Sequence, residues 1–370
     1  VTARRLALAT AVALVLAACS ADKPKPTPLQ NFEAKISGRQ VWSLDISDIN
    51  FPLVPAVRDG TFFVASGNGT VLALQADTGA ERWRADVRGA IAAGVGSDGR
   101  YASVVTRGNE VVVLDAGKEI WRKRLASAVV TPPLVAGERV FVMGVDRAVH
   151  AFDVLDGRRL WTLQRPGDPL TLAQAGVVTA FGNSLLVGQG SRLAAVDPLK
   201  GSVLWEVPMA TPRGTNEVER LADLVGPASR VGERFCIRSF QSAVACADAA
   251  QGRVSWSRNA GGIEAVGSDG ERVFGADASD RITAWRASNG DVVWSSERLL
   301  YRGLSGALAV GPSVVFGDSQ GFVHFLSAAE GELQLRLSTD GSAVVGTPAI
   351  SGSTLLVTTR KGGLFAFRPS

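Results

Sequence analysis

Few side chains in this sequence are of types that could do covalent or acid–base chemistry. Three cysteines and two histidines stand among 370 residues. Cys236 and Cys246 flank the stretch IRSFQSAVA symmetrically. If a hairpin turn centres on Gln241, the two face each other across paired strands, where Cβ atoms come within disulfide reach. A disulfide in an oxidising compartment is the favoured reading. Two buried free thiols are the other, since cysteine tolerates burial well. His150 and His324 each lie seven residues before a turn glycine, Gly157 and Gly331. Elsewhere that position holds Leu72, Ala194 or Ala245. A place shared between repeats points to packing rather than to a catalytic pair. Asp77, Asp115, Asp153 and Asp197 recur near turns, where an Asp side chain caps backbone N–H groups. One carboxylate per repeat does not converge on a metal ion. No zinc-ligand spacing and no Ser/His/Asp arrangement is present. Gly67-Asn68-Gly69 reads as a hairpin turn, not a phosphate loop, because no helix follows it. The expectation is therefore no catalytic residue, no metal and no cofactor.

The elements that carry these residues repeat. A glycine followed four residues later by tryptophan recurs as Gly79/Trp83, Gly117/Trp121, Gly157/Trp161, Gly201/Trp205, Gly252/Trp256 and Gly290/Trp294. AEGELQL keeps Gly331 but puts Leu335 where tryptophan belongs. Before each turn lies an apolar hairpin, such as TFFVASGNGTVLAL or RVFVMGVDRAVHAF. Before each hairpin stands a short segment of small residues, such as GTPAISG. Self-similarity at this period means a repeat architecture, and short strands between regular turn signals make it all-β. Each unit predicts four strands: a small-residue inner strand, a hairpin pair and an outer strand bearing tryptophan. Eight hairpins are present. The eighth lacks its outer strand, and QVWSLDI, with Trp42, supplies one from the other end of the chain. The fold predicted is an eight-bladed β-propeller with four-stranded antiparallel blades, its last blade closed by the N-terminal strand. Closure hides edges that would otherwise pair with other chains.

Ahead of the ring, residues 1–18 read as a lipoprotein signal peptide. Arg4 and Arg5 precede an apolar stretch too short to span a bilayer. Leu16-Ala17-Ala18-Cys19 resembles the lipobox of bacterial lipoproteins, whose cysteine is acylated, and Ser20 after it favours the outer membrane by the same resemblance. Residues 19–38, with three prolines among polar residues, read as a lipidated flexible tether. Residues 39–370 are the propeller. Without residues 1–18 the chain has 37 basic and 35 acidic residues. That balance, with no Lys/Arg cluster among aromatics, argues against nucleic-acid binding.

The glycine–tryptophan turn resembles the tryptophan-docking repeat of quinoprotein (PQQ-type) propellers. Lipobox, tether and eight blades together resemble the lipoprotein branch of that family found in the outer-membrane β-barrel assembly machine. The segments that carry this likeness are LLYRGLSGALAVGPSVVFGDSQGFVHFLSAAEG, VVTAFGNSLLVGQGSRLAAVDPLKGSVLW and EVERLADL. The resemblance implies a non-enzymatic scaffold, anchored by lipid to the periplasmic face of the outer membrane. It implies the periplasmic domains of BamA, the barrel subunit, as partner, with unfolded barrel proteins as further partners. The chain would be a monomer within a hetero-complex. Two alternatives remain: a quinone-dependent dehydrogenase, and a lipoprotein propeller with another envelope partner.

One interval breaks the repeat. Successive outer-strand tryptophans are 38 to 44 residues apart, but Trp205 and Trp256 are separated by 51. The excess falls in PRGTNEVERLADL, whose apolar residues are spaced for a helical turn. Three enlarged segments, RPGDPLTLAQAG, PRGTNEVERLADLVGP and SSERLLYRGLSG, join outer to inner strands. Strands alternate in direction, so all three emerge on one face. Loops on a rigid scaffold concentrate binding function. By resemblance, the partner-binding residues are Leu170, Leu172, Ala173, Arg220, Leu221 and Asp223. Ala173 stands where the family often has Arg, and Val225 replaces a second Asp. The competing reading is that Arg220 and Asp223 tie down their own loop.

Overall fold

The computed structural model describes residues 24–165 and 171–370. The signal segment and Cys19 lie outside the described residues. Eight antiparallel sheets of four strands are arranged as the blades of a ring. Blade one runs through Ala56–Arg58, Thr61–Ala65, Thr70–Gln75 and Glu81–Asp86, and the next six repeat the order. Middle strands are buried on both faces, as in Thr61–Ala65 and Tyr101–Thr106. Their Val, Leu, Ala and Phe content suits a surface packed between neighbouring blades. Outer strands such as Glu81–Asp86 are largely exposed.

Blade eight consists of Ala349–Ser351, Thr354–Thr358 and Gly363–Pro369, completed by Gly38–Asp45. Gly38 pairs with Pro369, Trp42 with Ala366 and Asp45 with Gly363. The closing strand thus begins one residue before the expected boundary.

Each outer-strand tryptophan reaches onto the turn glycine of the following blade. A Cβ on Gly79 would sit 2.7 Å from the Trp42 ring, and one on Gly331 would sit 2.5 Å from the Trp294 ring. Gly331 also has φ of +73°, which glycine adopts without strain. The indole N–H groups donate to backbone carbonyls nearby: Trp42 to Ala76 at 2.9 Å, Trp121 to Val154 at 2.7 Å and Trp161 to Pro198 at 3.0 Å. Trp256 and Trp294 do the same with Ala287 and Ala328. Trp83 and Trp205 lie against Gly117 and Gly252. At the eighth junction Leu335 packs on Gly38, which proves to be the eighth turn glycine, four residues before Trp42.

The tether expected to be flexible up to residue 38 is docked from Thr27 onward. Residues 27–36 carry no regular secondary structure, yet Leu29 and Phe32 pack on the core between blades six and seven. The Thr27 N–H donates to the Leu300 carbonyl, and that of Lys35 to Gln334, both at 2.9 Å. Proline composition marks the absence of helix and sheet, but it does not forbid an irregular segment from burying apolar side chains.

Candidate protein-binding site

The connectors between blades three and four and between blades four and five lie side by side on one face. Two strands bracket the second: Val203–Pro208, the outer strand of blade four, and Leu224–Val231, the inner strand of blade five. Between them Glu217–Arg220 forms a single turn rather than a helix. Asn216 accepts the Glu219 N–H through Oδ1 at 2.9 Å, and Glu219 Oε2 accepts the Thr215 N–H at 2.7 Å. These local bonds hold the Glu219 carboxyl below its ordinary range. They replace the longer helical ladder that so short a segment could not sustain.

Asp223 is the joint of this site. Its Oδ2 accepts the Leu172 N–H at 3.1 Å, and its Oδ1 pairs with Arg147 at 3.4 Å. The Asp223 carbonyl accepts the Phe240 N–H at 2.9 Å. One half-buried carboxylate therefore ties together both enlarged connectors and the hairpin turn of blade three. Leu172 and Asp223 face the same side, as strand alternation requires.

Arg220 behaves differently. It is exposed and makes no ion pair with any described residue. The Asp223 carboxylate thus reaches beyond its own loop, while the Arg220 side chain is exposed. Ala173 is exposed, Leu172 and Leu221 are half-buried, and Val218 nearby is 71% exposed. Val225 is buried in the blade-five inner strand, so it presents nothing to a partner. Leu170 lies outside the described residues.

Beneath the connectors opens a cleft of about 430 Å³, its wall charged by Arg147, Arg165, Arg192, Glu206, Arg220 and Asp223. Glu206 is shared by Arg165 and Arg192. An apolar shoulder beside a charged cleft is the anatomy of a protein-recognition surface.

The remaining candidates fall into structural places. Cys236 and Cys246 are register partners in blade five, with Cα atoms 4.1 Å and sulfurs 1.90 Å apart. His150 and His324 occupy equivalent positions on third strands. His150 Nδ1 lies 3.0 Å from Thr162 Oγ1, and His324 Nε2 lies 2.9 Å from Asp318 Oδ2. Burial holds both imidazoles below their ordinary range. Asp153 and Asp197 cap turns by accepting the N–H groups of Leu155 and Leu199. Asp77 and Asp115 depart from that expectation, pairing instead with Arg368 and Arg100. Among the described residues no three His, Cys, Asp or Glu side chains converge as metal ligands.

The third enlarged connector, between blades six and seven, does not join this site. Its Arg302 is buried in an ion pair with Asp318 at 2.7 Å. That arrangement was not legible beforehand, because Asp318 lies in the next hairpin turn and the third member, Thr27, is 275 residues away.

Comparison with known proteins gives a consistent picture. The family model described as "Outer membrane protein assembly factor BamB" matches residues 29–93 and 86–296. A protein of that name from Burkholderia pseudomallei is 35% identical over 366 residues, covering 97% of this chain and 96% of the relative. Its counterpart from Bordetella pertussis is 32% identical, covering 96% and 94%. Among solved structures, BamB from Moraxella catarrhalis superposes with a TM-score of 0.82 at 23% identity, covering 90% of this chain and 100% of that one. Quinohemoprotein alcohol dehydrogenase from Comamonas testosteroni reaches 0.68 at 16% identity, covering 90% and 76%, which is a likeness of fold alone.

Proposed function

The chain belongs to the BamB family of outer membrane protein assembly factors, and from that membership we propose that it is a lipoprotein scaffold whose blade-three-to-five connectors bind the periplasmic domains of BamA. It works without catalysis, by holding partners in place during the assembly and insertion of barrel proteins. Acyl chains on Cys19 keep it at the periplasmic face of the outer membrane; two or more chains give firm anchoring where one is marginal. Unfolded barrel proteins are a further partner class.

The observation that carries this reading is the Asp223 joint. It fixes two enlarged connectors on a rigid ring, one carrying Leu172 and the other the exposed Arg220. A prepared surface loses little conformational freedom on binding. The first prediction concerns this surface. Purified BamA periplasmic domains should capture the wild-type chain, and Leu172→Glu and Arg220→Glu should each lower affinity about tenfold or more, equivalent to about 1.4 kcal/mol. Both side chains lie outside the core, so the melting temperature should stay near wild type. Asp223→Ala should lower capture and also loosen the connectors, seen as faster amide exchange at Leu172. Undiminished capture by all three variants removes this face from the account.

A further inference from the structure

The docked segment from Thr27 to Ile36 crosses the outer wall of blade seven from one face of the ring to the other. At its start, Thr27 bonds to Leu300, and its carbonyl accepts from Arg302 Nη1 at 3.0 Å. Both partners lie in the blade six–seven connector, on the same face as the Asp223 joint. In the middle, Arg336 donates to the Gln30 carbonyl at 3.1 Å and stacks over the Phe32 ring at 5.1 Å. Arg298 donates to Gln30 Oε1 at 3.2 Å. At its end, Lys35 bonds to Gln334 and pairs with Glu332, beside the turn glycines of the opposite face. The strap therefore runs antiparallel to Leu333–Ser338, the outer strand of blade seven.

Arg302 is the anchor of this strap, and its own position is rigid. It is 2% exposed, and Asp318, which it grips, accepts further from the Gln320 and Phe322 N–H groups at 2.9 Å. A segment held by backbone bonds, two apolar side chains and a buried arginine leaves the ring at a defined point. Seven residues lie between Cys19 and Thr27, eight Cα-to-Cα steps in all. At about 3.3–3.6 Å per extended residue they reach no more than about 29 Å.

We propose that the strap makes blades six and seven the bilayer-proximal sector of the ring, with their connector lying against a phospholipid headgroup surface. The proposal rests on the acylation of Cys19 put forward above. The chemistry of the exit fits that occupant. Lys25 is exposed two residues before Thr27, Arg298 belongs to the connector, and Glu297, the connector's carboxylate, is paired with Arg281 at 2.8 Å. Tyr301, 41% exposed, gives an apolar body with a polar tip, suited to a wet interface. The Asp223 cleft lies two blades further back, a quarter of the way round the ring. It consequently lies to the side of the bilayer-proximal sector and not within it.

The test places a fluorescent non-natural residue at Glu297, at Val218 or at Lys118, in separate full-length proteins extracted with their anchor. Each is reconstituted in vesicles of phosphatidylethanolamine and phosphatidylglycerol containing a headgroup quencher. Because quenching falls steeply over the anchor's reach, Glu297 should be quenched about threefold more than Val218 or Lys118. Equal quenching at the three sites, or strongest quenching at Lys118, overturns the proposal. A second set carries Leu29→Ser with Phe32→Ser, which alters the strap and leaves the blades intact. There the contrast should disappear while the amount bound is unchanged; a contrast that survives overturns the strap's role. Intact mass reports acylation of Cys19 separately. If Cys19 is unmodified, that reading fails by itself, and the same contrast is required of mature protein coupled through Cys19 to a maleimide phospholipid.

Discussion

The side chain least foreseen from the sequence is Arg238, whose exposure is 0%. Its strand, Arg234–Ser239, is buried on both faces, so a charge on it has no outward side. The guanidinium is instead capped by the carbonyls of Ala260, Gly261, Glu264 and Ala276, at 2.7 to 2.9 Å. Three of those acceptors come from the blade five–six connector and the fourth from the end of strand Arg272–Ala276, which local alternation cannot reveal. Desolvation brings the Arg238 pKa down to about 10, still charged at neutral pH. Its neighbour Glu264 responds in the opposite sense. Burial pushes that carboxyl up to about 7, against a smaller downward pull from Arg238. The folded state thus holds the Glu264 proton more tightly than the unfolded chain does. Its contribution to stability is complete below about pH 4.5 and is lost as pH rises through about 7. Burial also raises the Asp280 carboxyl nearby, with the same sign. Glu264→Gln should therefore show a smaller fall in melting temperature than wild type between about pH 5 and 7.5. Parallel melting curves across that range check it. The Cys236–Cys246 pair makes a second residue-scale prediction. The two cysteines were legible because their spacing around Gln241 places them opposite one another. Unfolded, unreduced protein should show neither as a free thiol to alkylation, and reduction should expose both.

At the scale of the element, the junction between blades is the recurring device. Its sequence signature is short, local and the same at seven of the eight junctions, so the four-strand units could be read directly. Trp294 shows what each junction does. It lies on Gly331, donates to Ala328 and meets Phe274 at a ring separation of 6.0 Å. Trp294→Ala should cost about 3 kcal/mol, within the range for deleting a large packed aromatic. Leu335→Ala, at the junction that never had an indole, should cost less. Denaturant midpoints of the two variants decide the order. The connectors were legible as excess length but not as structure. Asp223 could be assigned to a partner or to its own loop, and its bonds to Arg147, Leu172 and Phe240, on three other segments, were not legible from spacing. The strap was misjudged for the same reason: its contacts lie at blade seven, remote in sequence.

For the whole molecule, the ring was readable because seven outer strands served eight hairpins, and the eighth had to come from somewhere. The register of Gly38–Asp45 against Gly363–Pro369 makes the chain ends neighbours, with the Ser37 hydroxyl 3.1 Å from the Ser370 carbonyl. Joining residues 370 and 38 by a short linker and opening the chain at Gly137 should preserve the fold, since that turn glycine has open space around it. Circular dichroism and elution volume like those of the parent would bear this out; an aggregated permutant would count against it. The same clasp carries a meaning for biosynthesis. The strand that seats Gly38–Asp45 emerges from the ribosome hundreds of residues after it, so the first-made rib must wait for the last. A polypeptide lacking Gly363–Pro369 leaves two strands of blade eight, Gly38–Asp45 and Thr354–Thr358, with unpaired edges at once. Closure thus works as a late latch: until Gly363–Pro369 pairs with Gly38–Asp45, the ring stays open.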